Sequence, residues 1–258
     1  MKDNFIAQSF GKSQNYTDIP NQLYKEYDVK KGLRNEDGTG VRVGLTRVSD
    51  VVGYDYVDGV KTNVAGRLYY RGYDIVDIAA ARAKDAVGYE EVMFLLLFGF
   101  LPSKREFDNF NDILRDMYAL PNDFLEMNLL RMPAQNLMNK LQHAVLTLYN
   151  YDDDPDNVEV YSTLLKGLDI AAKLPSIMCY AYQSKMHYFN RESLVIHYPM
   201  KNYSIAENIL YMLRENRQFS AKEAALLDTI LVLQADHGGG NNSTFANVVV
   251  SSTGTDIY

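Results

Sequence analysis

From Tyr73 to His237 the sequence keeps a single period, with apolar side chains returning every third or fourth position. That spacing gives each segment one apolar stripe, and stripes of this kind are buried by packing helix on helix. The segments "YDIVDIAAARA" (73–83) and "GYEEVMFLLLFGFLPS" (88–103) open the series, with Gly99 and Pro102 as stop signals in the second. Next comes "SKREFDNFNDILRDMYALP", with Ser103 as N-cap and Phe107, Phe110, Ile113, Leu114 and Met117 on one face. "PAQNLMNKLQHAVLTLYNY" repeats the theme, and "YDDDPDN" (151–157) follows as a charged loop. A longer helical stretch is expected from Val158 to Lys185, kinked or divided at Pro175, because proline lacks an N–H and crowds the preceding turn. Two more helices carry capping-box signatures, Ser204 with Glu207 and Ser220 with Glu223. In the last of these, Ala224, Leu227, Leu231 and Val232 share a face.

Only residues 41–73 break the pattern. "VRVGLTRV", "VVGYDYVDGVKTNV" and "RLYYRGY" alternate Val and Tyr with Asp-Gly and Ala-Gly punctuation, which predicts short strands or hairpins. The fold class expected is mainly α, a multi-helix bundle with a small β-hairpin region near residues 41–73. Residues 1–40 are polar and rich in tyrosine, and are expected to form a surface segment with one short helix.

Composition narrows the function classes. The 258 residues carry a formal charge of −7, with Lys and Arg scattered and no basic stripe. Nucleic acid and anionic membrane surfaces are therefore poor partners. No apolar run approaches the roughly 20 residues that span a bilayer, and "MKDNFIAQSFGKSQNY" has no apolar core of a secretory signal. The single cysteine, Cys179, sits in an apolar helical segment and has no partner for an internal disulfide. A soluble protein of a reducing cytoplasm is expected.

The chain has four histidines: His143, His187, His197 and His237. None pairs with another at helical spacing and no cysteine pair joins them, so no metal site is expected. The first three read as structural or surface residues. His237 stands in "ADHGGGNNSTF" (235–245), at the end of an apolar run and before three glycines and two asparagines. A helix ending at Asp236-His237 could close on Gly238 in the left-handed conformation, with the imidazole near the negative end of the dipole. One glycine suffices for that. Three also allow close backbone approach, and Asn241, Asn242, Ser243 and Thr244 add hydrogen-bonding groups. A phosphate loop would need a lysine after the glycines, and a dinucleotide fingerprint would need a strand before them; both are missing. No nucleophile-elbow motif is present. The residues alone leave His237 open between a helix cap and a functional group.

"LVLQADHGGGNNSTF" closely resembles the segment of citrate synthases that carries the first catalytic histidine at the end of a long helix. "LYYRGYDIVDIA" (68–79), "YEEVMFLLLFGFLP" (89–102), "AAKLPSI" (171–177) and "YPMKNYSIAENILYML" (198–213) resemble four further family segments, in the family's order. The glycine–asparagine form is similar to bacterial citrate and 2-methylcitrate synthases. The resemblance implies a large helical domain, a homodimer, and an active site in a cleft against a smaller domain. It implies condensation of acetyl-CoA with oxaloacetate and hydrolysis of the resulting thioester to citrate and CoA, a tricarboxylic acid cycle reaction needing no metal or other cofactor. In that chemistry a base removes a methyl proton, one histidine hydrogen-bonds the thioester oxygen, a second polarises the oxaloacetate carbonyl, and arginines hold the carboxylates. By matching motif, His237 takes the thioester-oxygen role, and Asn241 and Asn242 are candidate substrate-binding supports of the same loop.

The sequence departs from the family after this point. No histidine follows His237 and no arginine follows Arg217, so the second histidine, the catalytic aspartate and the carboxylate-binding arginines have no counterpart. The expectation is an N-terminal portion of a citrate synthase: residues 1–40 a surface segment, 41–237 the large domain, and 238–258 the truncated start of the small domain. Such a fragment is expected to be inactive alone. The alternatives are a 2-methylcitrate synthase using propionyl-CoA, and a helical dimerisation module without catalysis.

Overall fold

The computed structural model describes residues 19–27, 30, 32, 34, 40–41, 46–82, 88–238 and 242–258. A short helix, α1 (Asn21–Glu26), matches the one expected near the N-terminus. Strands β1 (Ser49–Val57), β2 (Val60–Tyr70) and β3 (Tyr73–Asp74) form an antiparallel sheet in the order β1-β2-β3. Asp58 and Gly59 turn β1 into β2, both at positive φ (51° and 78°), as the favoured two-residue hairpin turn requires. The Ala65-Gly66 pair is not a turn. It lies within β2, where the register jumps opposite Gly53 between the pairs Val52↔Arg67 and Tyr54↔Asn63, a bulge that keeps one strand continuous.

Helices α2 (Ile75–Arg82), α3 (Tyr89–Phe98), α4 (Lys104–Asp116), α5 (Leu137–Leu148), α6 (Val160–Asn190), α7 (Ile205–Leu213), α8 (Ala221–Leu233) and α9 (Asn242–Ser251) follow, with a π-helical turn at Leu125–Leu130. All three Ser–Glu capping boxes form, at the starts of α4, α7 and α8. Gly99 closes α3 in the left-handed conformation. On α4 the expected apolar face is narrower than its pattern: Phe110 and Leu114 are buried, but Ile113 is 49% exposed and Asn111 is buried in its stead.

Pro175 does not divide its helix. α6 runs through it for 31 residues and packs against α4, α5, α7 and the π turn. Burial on several sides offsets the roughly 3 kcal/mol that an interior proline costs. Cys179 lies in this stretch, fully buried, and burial pushes its thiol up to about 12.

The main core gathers Phe94, Phe110, Leu114, Phe124, Leu129, Ile177, Tyr180 and Met212 around α6. A second, smaller core joins Tyr70, Ile75, Ile78, Val92, Leu95 and Val232, where the hairpin root meets α2, α3 and the end of α8. Beyond its root the hairpin is open to solvent, with Tyr54, Tyr56, Val57 and Val60 exposed. No helix among the described residues is long and apolar enough to cross a membrane.

Candidate active site

His237 is exposed, and it does not sit on a helix. The sequence places the helix end at Asp236-His237, whereas α8 ends at Leu233, and its last turn closes with the Gln234 N–H on the Ile230 and Leu231 carbonyls and the Ala235 N–H on that of Val232. Gly238 is left-handed (φ +84°), so it shapes the corner after His237 instead of capping the helix. The cause of the early end lies far away in sequence. The Tyr70 hydroxyl, on a side chain with no exposed surface, donates to the Val232 carbonyl at 2.9 Å. The Asp236 carbonyl is a second acceptor 3.3 Å away, and the same hydroxyl accepts from the Asp236 N–H at 3.2 Å. Burial pushes the Tyr70 phenol above its ordinary pKa, which keeps it a proton donor.

Asp236 fixes the next residue. One carboxylate oxygen, Oδ1, accepts the His237 backbone N–H at 2.9 Å, and the other, Oδ2, accepts the Ser49 hydroxyl at 2.5 Å. A Cβ at position 238 would lie 3.1 Å from the Ser49 carbonyl oxygen and 3.5 Å from the Asp50 Cα, so the strand passes too close for an unstrained side chain there. Thr244, on the first turn of α9, donates its hydroxyl to the Gly238 carbonyl at 3.2 Å. Close by, Ala235 helps to line an apolar groove of about 490 Å³ between α3 and α6, shared with Met93, Leu96, Leu164 and Ala171.

Of the other candidates, Asn242 is exposed and opens α9, and Asn241 lies outside the described residues. The three remaining histidines are elsewhere. His143 is exposed on α5. His187 is exposed, with its Nδ1 2.8 Å from the Glu192 carbonyl. His197 is buried, its Nδ1 accepting from Arg217 Nε and its Nε2 donating to the Glu215 carbonyl. That pairing uses both ring nitrogens and makes His197 structural. Among the described residues, no group of three or more His, Cys, Asp or Glu is placed to hold a metal. Sequence reasoning missed Ser49 altogether and gave Tyr70 no role, although Tyr70 belongs to the "YRGY" stretch.

Residues 36–258 match the family model described as citrate synthase, C-terminal domain. The chain belongs to the citrate synthase family. Among its relatives, the citrate synthase of Haloferax volcanii is 35% identical over 235 residues, covering 90% of this chain and 55% of the relative. The 2-methylcitrate synthase of Mycobacterium tuberculosis is 31% identical over 232 residues, covering 90% and 51%. The crystal structure of citrate synthase from Pyrobaculum aerophilum superposes with a TM-score of 0.66 at 28% identity, over 88% of this chain and 54% of that one. The chain thus spans about half the length of the relatives it matches. Family membership agrees with the mainly helical fold. The family match includes the "ADHGGGNNSTF" corner.

Proposed function

We propose that this chain carries part of the citrate synthase site, with the His237 ring donating a hydrogen bond to the acetyl-CoA thioester oxygen as enol character develops there. The observation that carries the reading is an exposed imidazole on a corner held from both neighbouring residues, at the position where the motif matches. A donor fixed before reaction costs no reorganisation when charge builds on the oxygen. A backbone thinned to glycine leaves room for a bulky thioester. Asn241 and Asn242 are the candidate substrate-binding supports, oxaloacetate is the second substrate, and residues 41–237 and 238–258 are the large domain and the opening of the small one. The setting proposed is a reducing cytoplasm, in keeping with the buried Cys179 thiol.

His237 has no second histidine or arginine beyond it in these 258 residues. A condensation needs a base for the methyl proton and an electrophile for the oxaloacetate carbonyl, so the chain as given should release no CoA from acetyl-CoA plus oxaloacetate. Turnover in a thiol-release assay would overturn that statement. The role of His237 is tested separately, with ¹³C,¹⁵N-histidine-labelled protein and His237→Gln to assign the ring signal. Acetyl-CoA with oxaloacetate should shift the His237 signal and leave those of His143 and His187 in place. No shift at any concentration of either ligand would favour the non-catalytic helical module. The Mycobacterium tuberculosis relative favours a second reading, 2-methylcitrate synthesis, and a larger His237 shift with propionyl-CoA than with acetyl-CoA would support it.

A further inference from the structure

Ser49 and Tyr70 face each other across the first rung of the hairpin ladder. Each holds the corner that bears His237, although they lie 187 and 166 residues from Asp236 in sequence. Tyr70 closes the end of α8 and accepts the Asp236 N–H. Ser49 holds the Asp236 carboxylate through its hydroxyl, and its carbonyl lies against Gly238. The residues on either side of His237 are therefore fixed by one cross-strand pair, and His237 itself is left uncovered. Both members are buried, Ser49 to 5% exposure and Tyr70 to none. Helix geometry alone does not set the direction of the corner, because three residues separate Leu233 from His237.

We propose that the Ser49–Tyr70 pair, acting through Asp236, is a positioning device for the His237 ring. The proposal rests on the reading of His237 as the functional group, but the contacts stand without it. Ser49 orients the Asp236 carboxylate so that its other oxygen meets the His237 N–H. With Ser49→Ala the carboxylate is free to turn, and the N–H loses its fixed acceptor. With Tyr70→Phe the ring still fills the core, but the Asp236 N–H loses its partner and the Val232 carbonyl keeps only the Ala235 N–H.

The test uses the 258-residue protein labelled at histidine, reading hydrogen exchange of the His237 amide and the line shape of its ring signal. In Ser49→Ala the amide should exchange about tenfold faster, the low end of the factor for one charge-assisted hydrogen bond, and in Tyr70→Phe about fivefold faster, as for one neutral bond. The ring signal should broaden or split, while the signals of His143, His187 and His197 stay in place. Ser49→Thr, which keeps the hydroxyl, should restore the parent exchange rate and line shape. A purely structural role would move all four histidines together with the unfolding midpoint, and that outcome would overturn the proposal. So would an unchanged His237 amide and ring in folded Ser49→Ala. Ligand titration of the same samples separates the two readings. Loss of positioning without any ligand-induced shift in the parent protein sinks the enzyme reading alone.

Discussion

Glu90 places a carboxyl at 2% exposure, between the starts of α3 and α7. Its Oε1 accepts the Ile205 N–H at 2.7 Å, and its Oε2 has no hydrogen-bond partner among the described residues. Burial pushes its pKa up to about 7 from 4.5; the Ile205 N–H opposes this and the nearby Asp228 charge adds to it. The folded state therefore binds this proton more tightly than the unfolded chain does. The contribution is fully present below about pH 4.5 and fades as pH rises through about 7, by roughly 3 kcal/mol in all. Glu90→Gln keeps the acceptor for Ile205 and removes the titration. Urea unfolding from pH 5 to 8 should show a steeper fall in stability for the parent than for the variant. Nothing in the sequence marks this residue, because two glutamates in a first helical turn read as ordinary complements to the helix dipole. His237 stands out in the sequence for the opposite reason, since a titratable ring before three glycines has no packing purpose to explain it, whereas the helix-closing role read for Gly238 falls to Gln234.

The ends of α3 show what can and cannot be read at the level of an element. Its N-cap, Gly88, has no side chain, and the two Asp228 oxygens from α8 accept the Gly88 and Tyr89 N–H groups at 3.0 Å each. At the other end Arg71, from the turn after β2, donates through Nε to the Leu96 carbonyl at 3.0 Å. The N-terminal cap comes wholly from another element, while at the C-terminal end Arg71 adds to the closure that Gly99 makes locally. Removing a buried acceptor that serves two N–H groups should cost about 2 kcal/mol. Asp228→Ala is therefore expected to lower the unfolding free energy by that amount in chemical denaturation, and Asp228→Asn by about half. Where a cap is local, as at Ser103, Ser204 and Ser220, the start of a helix is visible in three or four letters of sequence. The end of α8 is not, since Gln-Ala-Asp is compatible with helix and the stop is made by Tyr70. The passage of α6 through Pro175 has the same origin, because packing from several sides decides it.

At the scale of the whole molecule, α9 is the element least accounted for by its own chain. It buries none of its residues, and Phe245, Val248 and Val249 share an exposed face at helical spacing. A helix of 10 residues is marginal in water without a packing partner. If the homodimer expected from the family resemblance uses that face, sedimentation gives twice the 29.4 kDa of one chain, and Val248→Glu shifts the population to the monomer. A monomer at every concentration would count against it. The mainly helical architecture is legible in the apolar period over residues 73–237, and the family in five motifs that recur in order. The clamp on His237 was not, because it joins positions 49, 70 and 236 that only the folded chain brings together. One buried atom also sets how the protein can be handled. With its thiol enclosed and its pKa near 12, Cys179 leaves the folded chain silent toward maleimides at neutral pH. A single Tyr56→Cys change on the exposed hairpin would then give one addressable point for a fluorophore, with no background to subtract.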